Sequence, residues 1–476
     1  MTMKQIKNIF IALACVCTLA GCDKFLNVNP KGEVFDQDMF TSAEGYEDAL
    51  YGIYAELGTT QYLYSDYMVW VPEVMGVNLQ SSSLDLTNVS MGLWDAYGAP
   101  GLRKGIWSAA YKTINHINNI LGYIEKGGDD QYQYTKLYKG EALALRAMLH
   151  FDMMRLFGPP AWADASAKAK VIPYVTKYAF DITPFSSYDD VYKYIIADLE
   201  EAEKCLAADE TLLPAVRNNS AAGFTSCRII HMNLYAVQAL LARVYWYKGD
   251  LAKAATYAAK VIESGKFTFR PREAFIQSEN GVLDMNETIF GIYSQQSNVK
   301  NAKAFGFSSS STSLTVRDDA YVIFNDGSSA SGTDLRLSAW FDGTQFKNLV
   351  NRTYVEGSNS YSGKSILGVN IFRISEMYYI MAEALMESDP ATATEYYDAV
   401  VTTRDLDPLT GASTVTADVL YNERCKEFFG EGFRWFDMKR LGKDIQVSTS
   451  VLLPGNNLST YVMPLPLAEE ENRAEE

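Results

Sequence analysis

Three histidines, His116, His150 and His231, are the whole imidazole supply of this 476-residue chain. A zinc-hydrolase helix needs two of them three or four residues apart, and a Ser-His-Asp triad needs one beside a nucleophile. No pair here has the zinc spacing, and each histidine reads as a packing or surface residue. Phosphate cradles of the form GxxxxGK[ST] or GxGxxG are absent, and so is CxxC. Glycoside hydrolysis needs two carboxylates across a cleft, and 58 acids offer many accidental pairs, so spacing alone leaves that chemistry open. For metals, the one reading is a structural calcium ion at Asp326 and Asp334, which flank a Gly/Ser loop but miss the EF-hand pattern. No other cofactor is expected.

The chemistry best supplied is stacking. The chain holds 31 Tyr, 23 Phe and 7 Trp, enough to fill a core and still leave rings for a surface. A sugar presents an apolar C–H face to such a ring, and its hydroxyls need polar side chains at the edge. Trp107, Trp246 and Trp435 fall in helical patterns and read as core, whereas Trp70, Trp94 and Trp340 lie in segments without periodicity. The candidate ligand-binding set is therefore Trp70, Trp94, Tyr97 and Trp340, with Asp66 and Asn78 as polar partners. For each of them, core packing is the competing expectation.

The elements that must position these residues are mainly helices. Ser42 caps one with apolar positions Ala49, Leu50, Ile53, Tyr54 and Leu57 at helical spacing. Residues 58–102 read as irregular. Helices are predicted over about 106–124, 134–157 and 187–206. Two helices then meet at Gly249-Asp250, with Ala239, Ala242, Ala255 and Ala259 as small residues at the crossing, a pattern similar to a tetratricopeptide repeat. A second pair turns at Asp389-Pro390. Between them, residues 266–370 form a long insertion with Ser/Gly-rich tracts, read as the ligand-binding part of the chain. The expected fold is mainly α: a tetratricopeptide-like scaffold of helix pairs carrying long irregular loops, as one domain over 41–476.

Charge narrows the partners. Against 58 acidic residues stand 42 basic ones, a formal charge of −16, which disfavours nucleic acid and anionic lipid. At the N-terminus, Lys4 and Lys7 precede a 12-residue apolar run, Ile9 to Ala20, too short to span a bilayer. It ends in "LAGC", which resembles a bacterial lipoprotein box. That resemblance implies a signal peptide at 1–21, acylation of Cys22, and a lipidated tether over 22–40. Loss of the signal removes Lys4 and Lys7 and takes the charge to −18. Cys205, Cys227 and Cys425 then remain, too few and scattered for a disulfide framework.

The stretch "ERCKEFFGEGFRWFDMKRLG", Glu423 to Gly442, is dense in charge. A helix from about Ala417, ended by Gly430, and a shorter one closed by Gly442 would place Asp437 at i,i+3 from both Arg434 and Arg440. Local neutralisation of that kind describes scaffold, not an active site.

This stretch resembles the C-terminal signature of the SusD/RagB family of lipoprotein nutrient-binding proteins. "YKGEALALRAMLHFDMMRLFGPP", "YAVQALLARVYWYKGD", "FRISEMYYIMAEALME", "NPKGEVFDQDMF" and "YVMPLP" are similar to other parts of that family. The end, "AEEENRAEE", is more acidic than the family's usual tail. The resemblance implies a non-enzymatic protein at the bacterial outer membrane, facing outward. It would bind oligosaccharide and pass it to a SusC-like TonB-dependent transporter; peptide binding is the alternative, and a glycoside hydrolase a more distant one.

Overall fold

The computed structural model describes residues 36–472 except 180, 218–222, 278–279, 309–311, 326–333, 344 and 353–364. The signal, Cys22, most of the tether, Asp326 and the last four acidic-tail residues therefore lie outside the described residues.

Helices dominate, and their order in space follows from which faces are apolar. Ala43–Thr59 starts at Ser42, whose hydroxyl accepts from the Gly45 amide, and buries Leu50, Ile53, Tyr54 and Leu57. Ala99–Gly127 buries Leu102, Ile106, Ala110, Ile114, Ile117 and Ile124, one stripe along 29 residues. Thr135–Phe157 is buried nearly all round, and so becomes the central helix, packed between Ala99–Gly127 and Tyr188–Cys205.

The helix pairs then continue the stack. Leu234–Lys248 and Leu251–Glu263 meet at Gly249, in the left-handed conformation, and at Asp250, which caps the second helix. Ile374–Leu385 and Pro390–Val401 turn at the capping Asp389. Leu251–Glu263 packs directly on Ile374–Leu385, so pairs a hundred residues apart in sequence are neighbours in space. The crossing differs by one position from expectation: Ala254 and Ala258 are fully buried, while Ala255 and Ala259 are only half-buried.

The segments expected to be irregular contain more order. Within 58–102 lie the helix Tyr67–Met75, the strand Leu79–Ser81 and the helix Leu84–Ser90. That strand pairs antiparallel with Leu314–Val316 from the insertion. The insertion also supplies two longer strands to the interior, Thr288–Tyr293 against Ile366–Arg373, with Thr288 opposite Arg373. Residues 288–292 are buried, which explains why 289–292 do not alternate with polar residues.

The charged C-terminal stretch is scaffold, but its pairing is long-range. Asp437 is bound not by Arg434 or Arg440 but by Arg424, at 2.8 and 3.1 Å. Arg440 reaches Glu383 at 2.8 and 3.0 Å, and Arg434 donates to Asn78 at 2.7 Å. Both guanidiniums of Arg424 and Arg440 lie over Trp246. These side chains are held between different helices, where buried charge gains more from a fixed partner than from an exposed neighbour. The first helix ends at Glu427, and Gly430 follows with positive φ.

Candidate functional site

The most exposed large ring among the described residues is Tyr97, 82% accessible. Its placement starts in the helix Leu84–Ser90 and the loop that follows. Asn88 Nδ2 donates to the Tyr97 carbonyl at 2.9 Å, tying the loop back to the helix. Gly98 then turns the chain with φ +87°, and a Cβ there would come within 2.7 Å of the Asp85 Cβ. The loop therefore closes against Asp85 only because residue 98 is glycine. Ala99–Gly127 begins two residues after Tyr97, which therefore sits at the head of a long amphipathic helix.

Around the ring lies an open depression of about 630 Å³, bordered by Leu84, Asp85, Asp95, Tyr97 and Pro100. Asp95 projects into solvent and is met from below by buried Arg103 at 3.3 Å. Asp85 accepts from the Tyr67 hydroxyl at 3.0 Å. Tyr67 stacks on Tyr62 with centroids 5.4 Å apart and meets Trp70 edge-on at 6.0 Å. Trp70 is half-buried, and its indole N–H donates to Asn301 Oδ1 at 2.9 Å. An aromatic ring flanked by two carboxylates can stack on an apolar ligand face and accept hydrogen bonds from its hydroxyls.

The other candidates are elsewhere. Trp94 is 8% exposed and Trp340 5%, both within the hydrophobic core, so neither face is open to a ligand. Asp66 is buried, accepts from the Tyr67 amide at 2.7 Å as a helix cap, and pairs with Lys300 at 2.9 Å. Asn78 is buried between Glu73, to which it donates at 2.9 Å, and Arg434. Loop-like sequence does not leave these side chains free. Short helices and strands hidden in that sequence fold back and enclose them. Asp85 and Asp95 are not among the sequence candidates; Asp95 lies two residues before Tyr97, whereas Asp85 joins it at the depression only through the fold.

Acid chemistry is placed elsewhere too. Burial pushes the carboxyls of Glu73 and Glu431 up to about 7. Glu73 is sealed by the Gly432 amide at 2.6 Å and by Asn78. Glu431 binds Arg373 and borders interior hollows of about 40 Å³, room for a water and not a sugar. Neither lines the depression under Tyr97. Among the described residues no group of three or more His, Cys, Asp or Glu is arranged to hold a metal ion. Asp334 is engaged by Arg336 at 2.7 Å. Burial drives His150 down to about 3, and its ring bridges the Arg146 carbonyl and the Val175 amide. His231 and His116 lie against Glu141 and Glu56.

Two family models match the chain. One, SusD-like and described as "Starch-binding associating with outer membrane", covers residues 24–246; the other, the SusD family, covers 322–463. The chain belongs to the SusD/RagB family. Across the whole length, the SusD-like protein P38 of Formosa agariphila is 25% identical, over 94% of this chain and 93% of that one. Among solved structures, a putative sugar binding protein from Bacteroides vulgatus superposes with a TM-score of 0.70 at 22% identity, covering 90% of this chain and 96% of that one. Surface glycan-binding protein A from Bacteroides fluxus gives 0.66 at 22%, with the same coverage. The shared fold is thus the helical stack described above. In this SusD/RagB chain, the signature Glu423 to Gly442 contributes no side chain to the Tyr97 depression. No described helix is long and apolar enough to cross a membrane.

Proposed function

We propose that this chain is a non-catalytic carbohydrate-binding lipoprotein that captures oligosaccharide at the Tyr97 face. The observation that carries the reading is a tyrosine ring 82% exposed over an open depression, with Asp85 and Asp95 beside it. Stacking by the ring and acceptance by the carboxylates fit a neutral glycan, whose hydroxyls tolerate acidic neighbours. Trp70, joined to Asp85 through Tyr67, belongs to the same proposal as a second ring. Support also comes from the relatives described as sugar binding and glycan-binding.

Anchorage would be through lipid on Cys22, at the outer membrane and facing outward, and the captured glycan would pass to a SusC-like TonB-dependent transporter for import. Affinity electrophoresis in gels cast with a polysaccharide panel tests the reading. Wild type is retarded by at least one glycan, Tyr97→Ala is retarded less, and reducing ends are not released. Retardation by none of them overturns it. Peptide capture is the second reading, favoured by Leu84, 60% exposed beside Tyr97 and suited to an apolar side chain. A peptide panel added as competitor in the same gels separates the two.

A further inference from the structure

The helix that begins beside Tyr97 borders a second concavity near its other end. The C-terminal half of Ala99–Gly127, the helix Thr135–Phe157 and residues 176–178 enclose a cleft of about 870 Å³, roomier than the Tyr97 depression. At about 1.5 Å of rise per residue, Asn118 lies roughly 30 Å along the helix from Ala99. The cleft is therefore separate from the first site.

One wall is held by buried polar groups. Arg146 donates twice to Asp198, at 2.7 Å each, and once to Asn118 at 2.9 Å. Asn118 donates to the Val175 carbonyl at 3.0 Å, and His150 Nε2 accepts from the Val175 amide at 3.0 Å. The Tyr174 hydroxyl closes the set on Asp198 at 2.6 Å. This bracing fixes a surface segment whose outward side chains are Thr176, Lys177 and Tyr178. The Thr176 carbonyl accepts from Arg146 at 3.5 Å, whereas none of the three side chains has a hydrogen bond or ion pair among the described residues, and the Tyr178 ring is 49% exposed. Burying an arginine, an asparagine and a histidine costs desolvation, and covering apolar helices would not require it. Leu121 and Leu143 add an apolar floor, and Lys126 a donor at the rim.

We propose that this cleft is a second carbohydrate site, with Tyr178 as its stacking ring and Thr176 and Lys177 as hydrogen-bonding groups. The proposal rests on the carbohydrate reading of the Tyr97 face. Two contacts roughly 30 Å apart on one rigid helix give a polysaccharide an avidity that a short oligosaccharide cannot have.

Calorimetry with maltoheptaose, and gel retardation by soluble starch, form the first test, extended to matched xylan, galactan and laminarin pairs. For the glycan that binds, wild type takes two short oligosaccharides, and Tyr178→Ala takes one, with the Tyr97 affinity retained. Tyr178→Phe restores the second, and Tyr178→Ala weakens polysaccharide retardation about tenfold, the scale of one lost contact of 1.4 kcal/mol. A wild-type stoichiometry of one, unchanged in Tyr178→Ala, overturns the second site and leaves the Tyr97 reading standing. Binding to no glycan in the panel overturns both.

Discussion

Arg404 grips Glu427 through two hydrogen bonds, Nη2 to Oε1 at 2.7 Å and Nε to Oε2 at 3.0 Å, with neither residue reached by solvent. The same carboxylate also accepts from Arg373 at 2.7 Å and Arg336 at 3.1 Å. Arg404 in turn holds Glu287 at 3.0 and 3.1 Å, at the start of the inserted strand Thr288–Tyr293. The network thereby ties the insertion to the C-terminal signature.

Removing one member of such a network leaves its partners charged and buried. Glu427→Ala should cost about 3–5 kcal/mol. Urea unfolding followed by circular dichroism checks it, and a midpoint shift no larger than that of an exposed control such as Glu470→Ala would refute it.

Tyr97→Ala should weaken glycan binding by roughly 1–2 kcal/mol, or about five- to thirtyfold in Kd, without changing stability. Trp340→Ala should do the reverse. Its ring is core, so the loss is about 3–5 kcal/mol of stability, with unchanged affinity in the protein that remains folded. Paired calorimetric titration and denaturation distinguish the two.

Stability should respond to pH in two opposite steps. Glu73, pushed by burial to about 7 from an ordinary 4.5, keeps its proton in the folded state longer than in the unfolded one. Its stabilising effect is full below 4.5 and is lost as pH rises to 7, by up to about 3 kcal/mol. Glu141 behaves oppositely. Burial raises it, but Arg228 and His231 more than offset that and hold it at about 2. Its contribution is present above 4.5 and is lost as pH falls towards 2. Unfolding midpoints from pH 3 to 8 should show both limbs, and Glu73→Gln should shrink the upper one, to which Glu431 also contributes.

Cys22→Ser should release the protein from the membrane fraction and abolish incorporation of labelled palmitate. Continued membrane association of that variant would remove the lipid anchor from the proposal.

Much of the scaffold was legible because its signals are local. Gly249-Asp250 and Asp389-Pro390 are caps and breakers that act within a few residues, and both turns are where the sequence places them. At the crossing Ala239 and Ala242 are buried as expected, but on the second helix Ala254 and Ala258 take the places expected of Ala255 and Ala259, because side-chain direction along a helix depends on the partner it meets. Asp437 defeated the i,i+3 expectation for a similar reason: Arg424 is brought to it by the packing of two helices. Trp94 and Trp340 are candidates by sequence because Gly- and Ser-rich neighbours look loop-like, yet both rings fill the core, the competing expectation.

From residue order alone came the helix pairs, the family, the absence of zinc-motif spacing and of phosphate-loop motifs, and Tyr97 as a candidate. Each depends on spacing within a turn or two, or on quoted motifs. Tertiary structure decided which rings face water, which acids stand beside Tyr97, and which arginine holds which carboxylate. Those outcomes depend on contacts between residues tens to hundreds of positions apart, where short-range periodicity carries no information.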